Sequence, residues 1–431
     1  MPPLFNYKQI ISELPILINS SIRRNLPADV VARIRQLPDL YKDVNDLAKQ
    51  RDAIQHQRNQ ITDKIKTASK DSPDFKDLIQ KANELKPQFQ QLDSQLKQLR
   101  ADLYSTADSI PNLIHECVND TEPIIKETVN PQNYIDPAPD RDHVKIATEL
   151  GLIDIESASK VSGTSWYYLT GYGVLLEQAL INYALAKAVK NGFQLMAPPT
   201  AVRPHVAAAC GFRPRDQNNE KQIYTLADED LCLIGTAEIP MAGWAIDRVL
   251  TGLPVLKAGI SRCYRAEAGA RGRDTKGLYR VHEFSKVELF AWCETADQAE
   301  NTLEMIRSFQ KSVVKELGLC AQVLDMPAND LGASAYRKYD IEAWMPGRGD
   351  YGEVTSTSNC LTYQSQRLNT QFKDKDGNLQ YAYTLNGTAM AVPRIMVAII
   401  ENFYDPRSHS IVIPEVLRPY LSNQERITKL T

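Results

Sequence analysis

The chain has 431 residues, with 50 Lys and Arg against 53 Asp and Glu, and its net charge of −3 excludes a uniformly basic nucleic-acid binder. Its seven cysteines never occur in C-x-x-C spacing, so neither a zinc knuckle nor a disulfide framework is predicted, and a reducing compartment fits best. No apolar run is long enough to cross a membrane, and the length predicts two or three domains.

The first hundred residues predict two long helices. Apolar residues recur in alternating steps of four and three over residues 40–65 and again over 78–103. This period of 3.5 residues is typical of coiled coils. Residues 66–75 between the two runs are polar and contain Pro73, which indicates a turn. Because the runs are equal in length, we expect an antiparallel hairpin that extends roughly 40 Å.

The charge of this hairpin does not distinguish between a protein partner and an RNA partner. It carries 12 Lys and Arg against 10 Asp and Glu, so by charge alone it suits protein interaction or dimerisation as well as RNA binding. Arg51 and Arg58 fall at positions of the apolar seam, where we expect their stems to pack and their charged ends to reach solvent. Pro87 lies inside the second run and is expected to kink it.

A domain boundary is predicted near residue 113, which separates residues 1–112 from 113–431. Residues 116–142 are rich in Pro, Asn and Asp and are typical of a linker. Residues 177–190 then have helical periodicity, and residues 193–202 form an extended segment interrupted by two prolines. By themselves these two segments are equally consistent with an ordinary helix–strand pair.

A short polar turn follows the next apolar segment, Asp-Leu-Cys-Leu-Ile-Gly, which is predicted to be a strand. It reads Thr236-Ala237-Glu238-Ile239-Pro240. On local chemistry Thr236 could be the N-cap of a helix, since its hydroxyl can accept a hydrogen bond from a free amide of the first turn. A binding role for Thr236 and Glu238 needs support from the rest of the chain.

The most informative stretch is residues 265–290. Its pattern predicts two antiparallel strands joined by a turn rich in Gly, Arg and Asp at residues 269–277. Alternation along each strand predicts which side chains point the same way. A solvated hairpin with surface ion pairs is the alternative to a binding site.

One face of this hairpin has an unusual composition for a sheet. Arg265 and Glu267 are two residues apart on the first strand, and Arg280, Phe284 and Glu288 are each four apart on the second. Guanidinium groups, carboxylates and a ring make a poor core but suit a charged, planar ligand. Arginine matches phosphate oxygens bidentately, and an aromatic ring can stack on a base.

Two segments near the C-terminus add oxygen ligands and a cation. Glu353 and Ser356 lie three apart, and a carboxylate with a hydroxyl suits Mg²⁺, although a surface Glu and a turn Ser fit the local pattern equally. Arg367 is expected on the next strand as a supporting residue. Residues 385–403 predict a glycine turn followed by an apolar helix from about Val392, with Arg394 in its first turn, where the positive helix end favours phosphate.

Residues 265–290 resemble motif 2 of the class II aminoacyl-tRNA synthetases. The series Arg-x-Glu-Ala-Gly, Gly-Arg-Asp-Thr and Gly-Leu-x-Arg-Val-His is similar to that of the seryl-tRNA synthetases, and the resemblance covers nearly the whole chain. Residues 177–202 resemble motif 1 and residues 385–403 resemble motif 3. Ala389 and Pro393 replace glycines of the commoner motif 3, a departure similar to that of the fungal mitochondrial branch.

The resemblance implies a fold and an activity. The fold is α+β, the class II antiparallel sheet of six or seven strands with flanking helices, plus an N-terminal antiparallel coiled-coil arm. The activity is ATP-dependent ligation of L-serine to tRNA(Ser) through a seryl-adenylate, with ATP as substrate, Mg²⁺ as metal and no zinc. The arm is implied to bind the long variable arm of the tRNA, and the motif 1 region to form a homodimer.

The resemblance also implies roles for individual residues. The implied catalytic residues are Arg265, Glu353 and Arg394. The implied serine contacts are Thr236, Ala237, Glu238, Arg265, Glu288, Asn386 and Thr388. The implied ATP contacts are Arg265, Ala266, Glu267, Arg280, Val281, Phe284, Glu353, Val354, Thr355, Ser356 and Arg394. Glu353 and Ser356 are the implied Mg²⁺ ligands, and the expected tRNA contacts are Arg58, Lys64, Lys66 and Lys70.

Three alternatives compete with serine–tRNA ligation. One is a tRNA-binding paralogue without catalysis, which the intact Arg265, Glu267, Glu353 and Arg394 oppose. Another is an enzyme that loads an amino acid onto a carrier protein, which would not need the long arm. A third is a class II enzyme for threonine or proline.

The motif 3 variant and the modest arm charge favour the mitochondrial matrix, with the cytoplasm as the alternative. Residues 1–24 resemble a transit peptide only weakly, because residues 10–18 are typical of a packed helix.

Overall fold

The computed structural model describes residues 5–69, 73–213, 222–267 and 277–429. These residues form two compact units, Phe5–Pro111 and a second unit that begins at Asn112 and contains the rest of the chain. The division falls one residue before the domain boundary expected from sequence. The predicted turn at residues 269–277 lies, apart from Gly277, outside the described residues, and so does Lys70.

Helices form most of the first unit, and the second unit contains helices as well as strands. The helices are α1 (Tyr7–Arg23), α2 (Ala28–Arg35), α3 (Leu37–Thr67), α4 (Pro73–Asp108), α5 (His143–Glu149), α6 (Ile155–Ser162), α7 (Tyr172–Lys190), α8 (Pro204–Ala209), α9 (Glu238–Gly243), α10 (Ala296–Glu316), α11 (Tyr363–Leu368) and α12 (Val392–Phe403). Short 3₁₀ turns occur at Pro131–Asn133, Pro139–Arg141, Ala328–Asp330 and Glu415–Leu421.

The two long helices of the first unit confirm the predicted arm. Helices α3 and α4 pack against each other and bury seam residues such as Val44, Leu96 and Leu103. The guanidinium carbon of Arg58 lies 4.8 Å from the centre of the Phe89 ring, so this seam arginine packs on its partner helix. Helix α4 continues through Pro87 without interruption.

The second unit contains the strands. They are β1 (Ile124–Val129), β2 (Ile153–Asp154), β3 (Tyr168–Leu169), β4 (Gln194–Met196), β5 (Ala201–Val202), β6 (Cys232–Leu233), β7 (Val249–Leu250), β8 (Val255–Tyr264), β9 (Glu283–Cys293), β10 (Ala321–Asp325), β11 (Arg337–Met345), β12 (Asp350–Asn359), β13 (Gln371–Lys373), β14 (Leu379–Tyr381), β15 (Tyr383–Ala391), β16 (Tyr404–Asp405), β17 (Ser410–Val412) and β18 (Arg426–Ile427).

Eight of these strands form the central sheet, in the order β1-β10-β11-β12-β15-β9-β8-β4. Neighbours are antiparallel except β4 and β8, which are parallel. The predicted α+β fold is therefore confirmed, with eight strands in place of six or seven. Strand β1 lies within the segment predicted to be a linker, so the sequence prediction missed it. All of its residues except Val129 are exposed, and the segment therefore lacks the apolar alternation that predicts a strand.

The core lies between this sheet and helices α7, α10 and α12. Fully buried side chains from each helix, such as Leu180, Leu303 and Ile399, pack against buried side chains of the strands. Helix α12 follows β15 directly, so packing of its apolar face on the sheet also fixes the position of its first turn. That turn carries Arg394.

Three strand assignments differ from the sequence prediction. Strand β8 ends at Tyr264, so Arg265 and Glu267 follow the strand, and Glu267 has a φ of 48° that no regular strand contains. Strand β9 begins at Glu283, so Arg280 precedes it. The apolar segment before Thr236 pairs over only two residues, in β6.

Two further predictions near the C-terminus are wrong. Arg367 lies on helix α11 and not on a strand. Gly387 lies within strand β15 and not in a turn. A Cβ atom at Gly387 would lie 2.5 Å from Cγ2 of Ile306, so this glycine is required by close packing of α10 on the sheet.

Candidate active site

A cleft of about 560 Å³ opens on the central sheet. Its walls come from both ends of the β8–β9 connection, the middle of β12, the end of β15 and the first turn of α12. The lining residues are Arg265, Glu267, Leu278, Tyr279, Arg280, Val281, Phe284, Lys286, Glu353, Val354, Thr355, Ser356, Thr388, Ala391, Pro393 and Arg394. Among the residues that the structure describes, four cationic side chains line the cleft against two carboxylates, so it suits an anionic ligand.

A β-bulge in β12 brings the two predicted metal ligands to one face. Pairing with β11 shifts so that Glu353 and Thr355 face successive residues of that strand and Val354 is extra. On a regular strand, residues three apart point to opposite faces, but one extra residue reverses the alternation. Glu353 and Ser356 therefore both line the cleft.

Arg394 and Glu353 form an ion pair inside the cleft. Nη1 of Arg394 lies 3.0 Å from Oε2 of Glu353 and donates to its backbone oxygen at 3.1 Å. Burial acts to raise the pKa of Glu353, but the charges of Arg394 and Lys338 outweigh it and lower that pKa to about 2. The carboxylate is therefore ionised at neutral pH and can attract a cation.

Arg265 and Glu267, which follow strand β8, also line the cleft. The Arg265 guanidinium lies 5.3 Å from the Phe284 ring centre, and its Nε donates to the backbone oxygen of Gly235 at 3.4 Å. Glu267 is paired with Arg280, with Nε and Oε2 2.9 Å apart. The ring and both arginines face the same space, so planar and anionic groups can bind side by side.

A buried polar network adjoins the cleft through Lys286. Nζ of Lys286 forms an ion pair with Glu288 and donates to Oγ1 of Thr236 at 2.7 Å. The Thr236 hydroxyl in turn donates to Oε2 of Glu288 at 3.3 Å. Thr388 faces Glu288 across the β9–β15 pair and lines the cleft. These polar groups can bind the ammonium and hydroxyl of a small amino acid.

Glu238 is the other buried carboxylate of this region. Its Oε1 accepts hydrogen bonds from Nε2 of Gln364 at 2.6 Å and from Nδ2 of Asn386 at 2.9 Å. Burial, reinforced by the nearby charge of Glu288, raises its pKa to about 8. The amide of Glu238 also donates to Oγ1 of Thr236 at 3.3 Å, so this hydroxyl contacts the first residue of α9 as well as Glu288. The N-cap of α9 is Ala237, and not Thr236 as the local sequence allowed.

Metal-ligating clusters of the usual kind are absent from the parts of the chain that the structure describes. Within those ranges no three His, Cys, Asp or Glu residues converge on one point. Nor does any helix there combine the length and apolar composition needed to span a membrane. A hard cation held by one carboxylate and one hydroxyl, with waters and substrate phosphates, needs no such cluster.

Known families match both units. The description "Seryl-tRNA synthetase N-terminal domain" matches residues 4–114, and "tRNA synthetase class II core domain (G, H, P, S and T)" matches residues 224–403. The mitochondrial serine–tRNA ligase of Saccharomyces cerevisiae is 46% identical over 432 residues, covering 99% of this chain and 96% of that protein. The chain belongs to the seryl-tRNA synthetase family.

Two further relatives are also seryl-tRNA synthetases. The mitochondrial serine–tRNA ligase of Schizosaccharomyces pombe is 38% identical and covers 98% of this chain and 89% of its own. The crystal structure of the seryl-tRNA synthetase from Pyrococcus horikoshii complexed with ATP has a TM-score of 0.82 at 31% identity, covering 99% of this chain and all of that one. The predicted resemblance to the seryl-tRNA synthetases, and to their fungal mitochondrial branch, is confirmed.

Most of the residues expected at the seryl-tRNA synthetase site lie together. Every expected ATP contact except Ala266 lines the cleft, and the expected serine contacts except Ala237 join it directly or through the Lys286 and Glu238 networks. Ala266 pairs through its backbone with Gln222, and Ala237 is the buried residue before α9. Whether each one contacts a ligand stays a prediction.

Sequence reasoning missed several residues of the cleft. Lys286 alternates with Phe284 and Glu288 on β9, so the strand pattern already placed it on the right face. Tyr279 and Leu278 had no such signal, because they lie in an irregular segment before the strand. Their place in the wall depends on packing with distant parts of the chain.

Replacing Glu238 with glutamine is expected to flatten the pH dependence of stability. Because burial raises its pKa from 4.5 to about 8, the folded chain holds a proton that the unfolded chain releases. The proton held by Glu238 therefore stabilises the folded chain, and this stabilisation is fully present below pH 4.5. It is lost as the pH rises through about 8, and the free energy of unfolding falls by up to about 1.4 kcal/mol per pH unit. Urea unfolding at several pH values in this range, at one chain concentration, measures the slope.

A companion variant separates Glu238 from a second buried acid whose pKa is raised. Burial also raises the pKa of Asp340 to about 8, so Asp340→Asn should remove a different part of the slope. The glutamine at 238 keeps an oxygen that accepts from Gln364 or Asn386. An unchanged slope in Glu238→Gln would contradict the assignment.

Proposed function

We propose that this protein ligates L-serine to tRNA(Ser) by way of a seryl-adenylate. One observation carries the proposal: Arg265, Arg394, Glu353 and Ser356 converge in one cleft, and the buried Thr236–Lys286–Glu288 network adjoins it. The cleft offers positive charge for a triphosphate, and the network offers partners for an amino acid. Similarity to serine–tRNA ligases over the whole chain supports the same assignment.

The reaction has two steps, and neither needs a nucleophile from the protein. A carboxylate oxygen of serine attacks the α-phosphorus of ATP, forming the acyl–phosphate bond as the bond to pyrophosphate breaks. The terminal hydroxyl of the tRNA then attacks the acyl carbon, and AMP leaves. Catalysis is therefore positioning and charge stabilisation. We assign Arg265 to the serine carboxylate and the α-phosphate, and Arg394 to the γ-phosphate.

The adenine is assigned to the part of the cleft around Phe284. The ring of Phe284 would stack on the base, and the carboxylate of Glu267 would accept from its exocyclic amine. Nε of Arg280 lies 2.9 Å from Oε2 of Glu267, so a bound nucleotide would share this carboxylate with Arg280. Both side chains line the cleft beside Phe284.

Glu353 and Ser356 fit the proposed Mg²⁺ site. The bulge at Val354 presents both side chains to the cleft, and the lowered pKa keeps Glu353 ionised. When bound there, Mg²⁺ supplies charge neutralisation to the phosphates of ATP. The residues of the chain would hold it with a carboxylate and a hydroxyl oxygen.

Serine is distinguished from alanine by its hydroxyl. A site built to bond a substrate hydroxyl can reject the analogue that lacks it by about 10⁴-fold, because its own polar groups would otherwise stay unpaired. We assign Glu288, Thr236 and Thr388 to the ammonium and hydroxyl of serine. Glu238 and Asn386 would support them through their mutual hydrogen bond.

The arm is proposed to bind the tRNA, and a charge-reversal pair tests this. Lys64 and Lys66 are exposed near the end of α3, so Lys64→Glu with Lys66→Glu should lower kcat/KM for tRNA about tenfold. Serine-dependent ATP–pyrophosphate exchange should stay unchanged, because it needs no tRNA. Steady-state aminoacylation at fixed ionic strength measures the first quantity.

The same helix offers a matched control. Lys42 and Lys49 are exposed on α3, on average about 30 Å nearer its start, and their reversal should change kcat/KM for tRNA far less. A loss of equal size in both double variants would point to a general charge effect, and no loss in the first would remove these lysines from the interface.

We also propose a homodimer and a mitochondrial location. Helix α7 and strand β4 of the motif 1 region leave Leu175, Val189 and Leu195 about half exposed, which is typical of a covered apolar surface. Sedimentation at micromolar concentration should then give twice the mass of the chain. The location rests on the mitochondrial ligases of the two yeasts, and fractionation of the native cells tests it.

The experiment that tests the proposed function is aminoacylation of a tRNA(Ser) transcript. Labelled serine should enter the tRNA in an ATP-dependent reaction, while labelled threonine, alanine and proline should not. Adenylate formation without transfer to tRNA would instead favour a carrier-loading enzyme, and tRNA binding without either step would favour an inactive paralogue. The intact set of charged residues in the cleft argues against the paralogue.

A further inference from the structure

A buried histidine lies behind the nucleotide wall of the cleft. His143 begins α5, and its Nδ1 lies 2.9 Å from Oε1 of Glu401 on α12. On its other side, the backbone N–H of Leu278 donates to Nε2 at 3.3 Å. Since Nε2 accepts, the ring proton is on Nδ1 and is donated to Glu401. The histidine thus joins α12 to the segment that returns from the β8–β9 connection.

The returning segment fits closely against this ring. Gly277 has a φ of 87°, and a Cβ atom there would lie 2.2 Å from Nε2 of His143. Only glycine allows the backbone to pass so close in this conformation. The next residues, 278–281, form one wall of the cleft. The hydrogen bond to Leu278 is therefore made where the wall begins.

Glu401 also contacts a third segment, the one that contains Arg348. Its Oε2 accepts from the backbone N–H of Arg348 at 3.0 Å, and the Arg348 guanidinium lies 4.2 Å from the centre of the Tyr279 ring. Arg394 lies on the same ring at 4.8 Å. Arg394 and Glu401 are both on α12, so one helix carries the cation of the cleft and the carboxylate that orients His143.

We infer that His143 is a positioning residue for ATP: its Nε2 holds the Leu278 amide, and so holds residues 278–281 against the nucleotide, while Glu401 orients the ring. This inference rests on the proposed function. His143 does not line the cleft, and its effect should pass through the wall to the nucleotide side. The serine side depends on β9, β15 and the start of α9, and the two hydrogen bonds of His143 described above go instead to Glu401 and Leu278.

Three substitutions separate the two hydrogen bonds. His143→Leu removes both, His143→Asn keeps a donor for Glu401 but cannot reach Leu278, and His143→Gln places an acceptor where Nε2 lies. KM for ATP in serine-dependent exchange should rise about tenfold in the Leu and Asn variants, with kcat and KM for serine within about twofold. The Gln variant should return KM for ATP to within about threefold of wild type.

His115 provides the matched control. Its Nδ1 also accepts a backbone N–H, from Cys117 at 3.1 Å, but it packs on Tyr336 outside the cleft. His115→Leu should leave both KM values unchanged. Thermal midpoints, and calorimetric titration with ATP, should accompany the kinetics on the full chain, so that loss of fold is separated from loss of nucleotide affinity.

Each outcome decides the inference. A selective rise in KM and Kd for ATP that glutamine rescues supports it. Equal rises for ATP and serine, no rise at all, or a glutamine variant no better than asparagine would overturn it. If the wild type shows no exchange with any amino acid, the proposed function fails, and the titration with ATP still tests the inference directly.

Discussion

Substituting alanine for Arg265 is expected to lower kcat of serine-dependent ATP–pyrophosphate exchange by about 10³-fold. The guanidinium lies in the cleft against the Phe284 ring. Negative charge develops on the α-phosphate as serine attacks, and a preorganised cation stabilises that charge more than it stabilises bound ATP. Exchange kinetics at saturating ATP and serine measure the effect.

Arg248→Ala is the matched control for this variant. Its guanidinium also lies over an aromatic ring, 4.4 Å from the centre of Trp244, and it does not line the cleft. Removing it should change kcat by less than about threefold. A similar loss in the two variants would mean that Arg265 acts through packing, which would contradict its assignment to the α-phosphate.

Arg394→Leu should lower kcat/KM for ATP by about 10³-fold. The change removes a cation of the cleft and also deprives Glu353 of the ion pair at 3.0 Å that helps to lower its pKa. The pKa of Glu353 should therefore rise in the variant, since burial then acts against the ionised form with less opposition. Initial rates over a range of ATP and Mg²⁺ concentrations measure the loss of kcat/KM, and the same rates at several pH values measure the rise in the pKa of Glu353.

Arg337→Leu is the matched control for Arg394→Leu, because both arginines lie near a tyrosine ring and pair with a carboxylate. The Arg337 guanidinium lies 4.9 Å from the Tyr339 ring centre and 2.8 Å from a carboxylate oxygen of Asp325, outside the cleft. This variant should be less stable, because the buried Asp325 loses its nearest cation and, among the described residues, keeps only Lys126, whose Nζ lies 4.0 Å from Oδ2. Its activity per folded molecule should stay within about threefold of wild type. Equal losses of activity in Arg337→Leu and Arg394→Leu would contradict a phosphate role for Arg394.

The arm and the motif positions were predictable because their signals are local. A 3.5-residue period specifies a coiled coil within its own segment, and α3 and α4 follow it closely. The first turn of α12 was predicted from the apolar run that starts at Val392, and Pro393 is compatible with that turn.

The geometry of the cleft was less predictable because it depends on irregular backbone. Regular alternation would separate Glu353 from Ser356, and only the bulge at Val354, seen in the pairing with β11, unites them. Arg265 and Glu267 were expected on a strand face, yet they reach the cleft from the segment beyond β8. Tyr279 is placed by Arg348 and Arg394, which are far from it in sequence.

The most direct test of the central claim is amino-acid-dependent ATP–pyrophosphate exchange on the purified chain, with serine, alanine and threonine in parallel. Exchange with serine alone, abolished in Arg265→Ala and retained in Arg248→Ala, is the predicted result. Exchange that prefers alanine or threonine would contradict the assignment of Thr236, Glu288 and Thr388 to serine. A folded chain that exchanges with none of the three would contradict the adenylation chemistry itself.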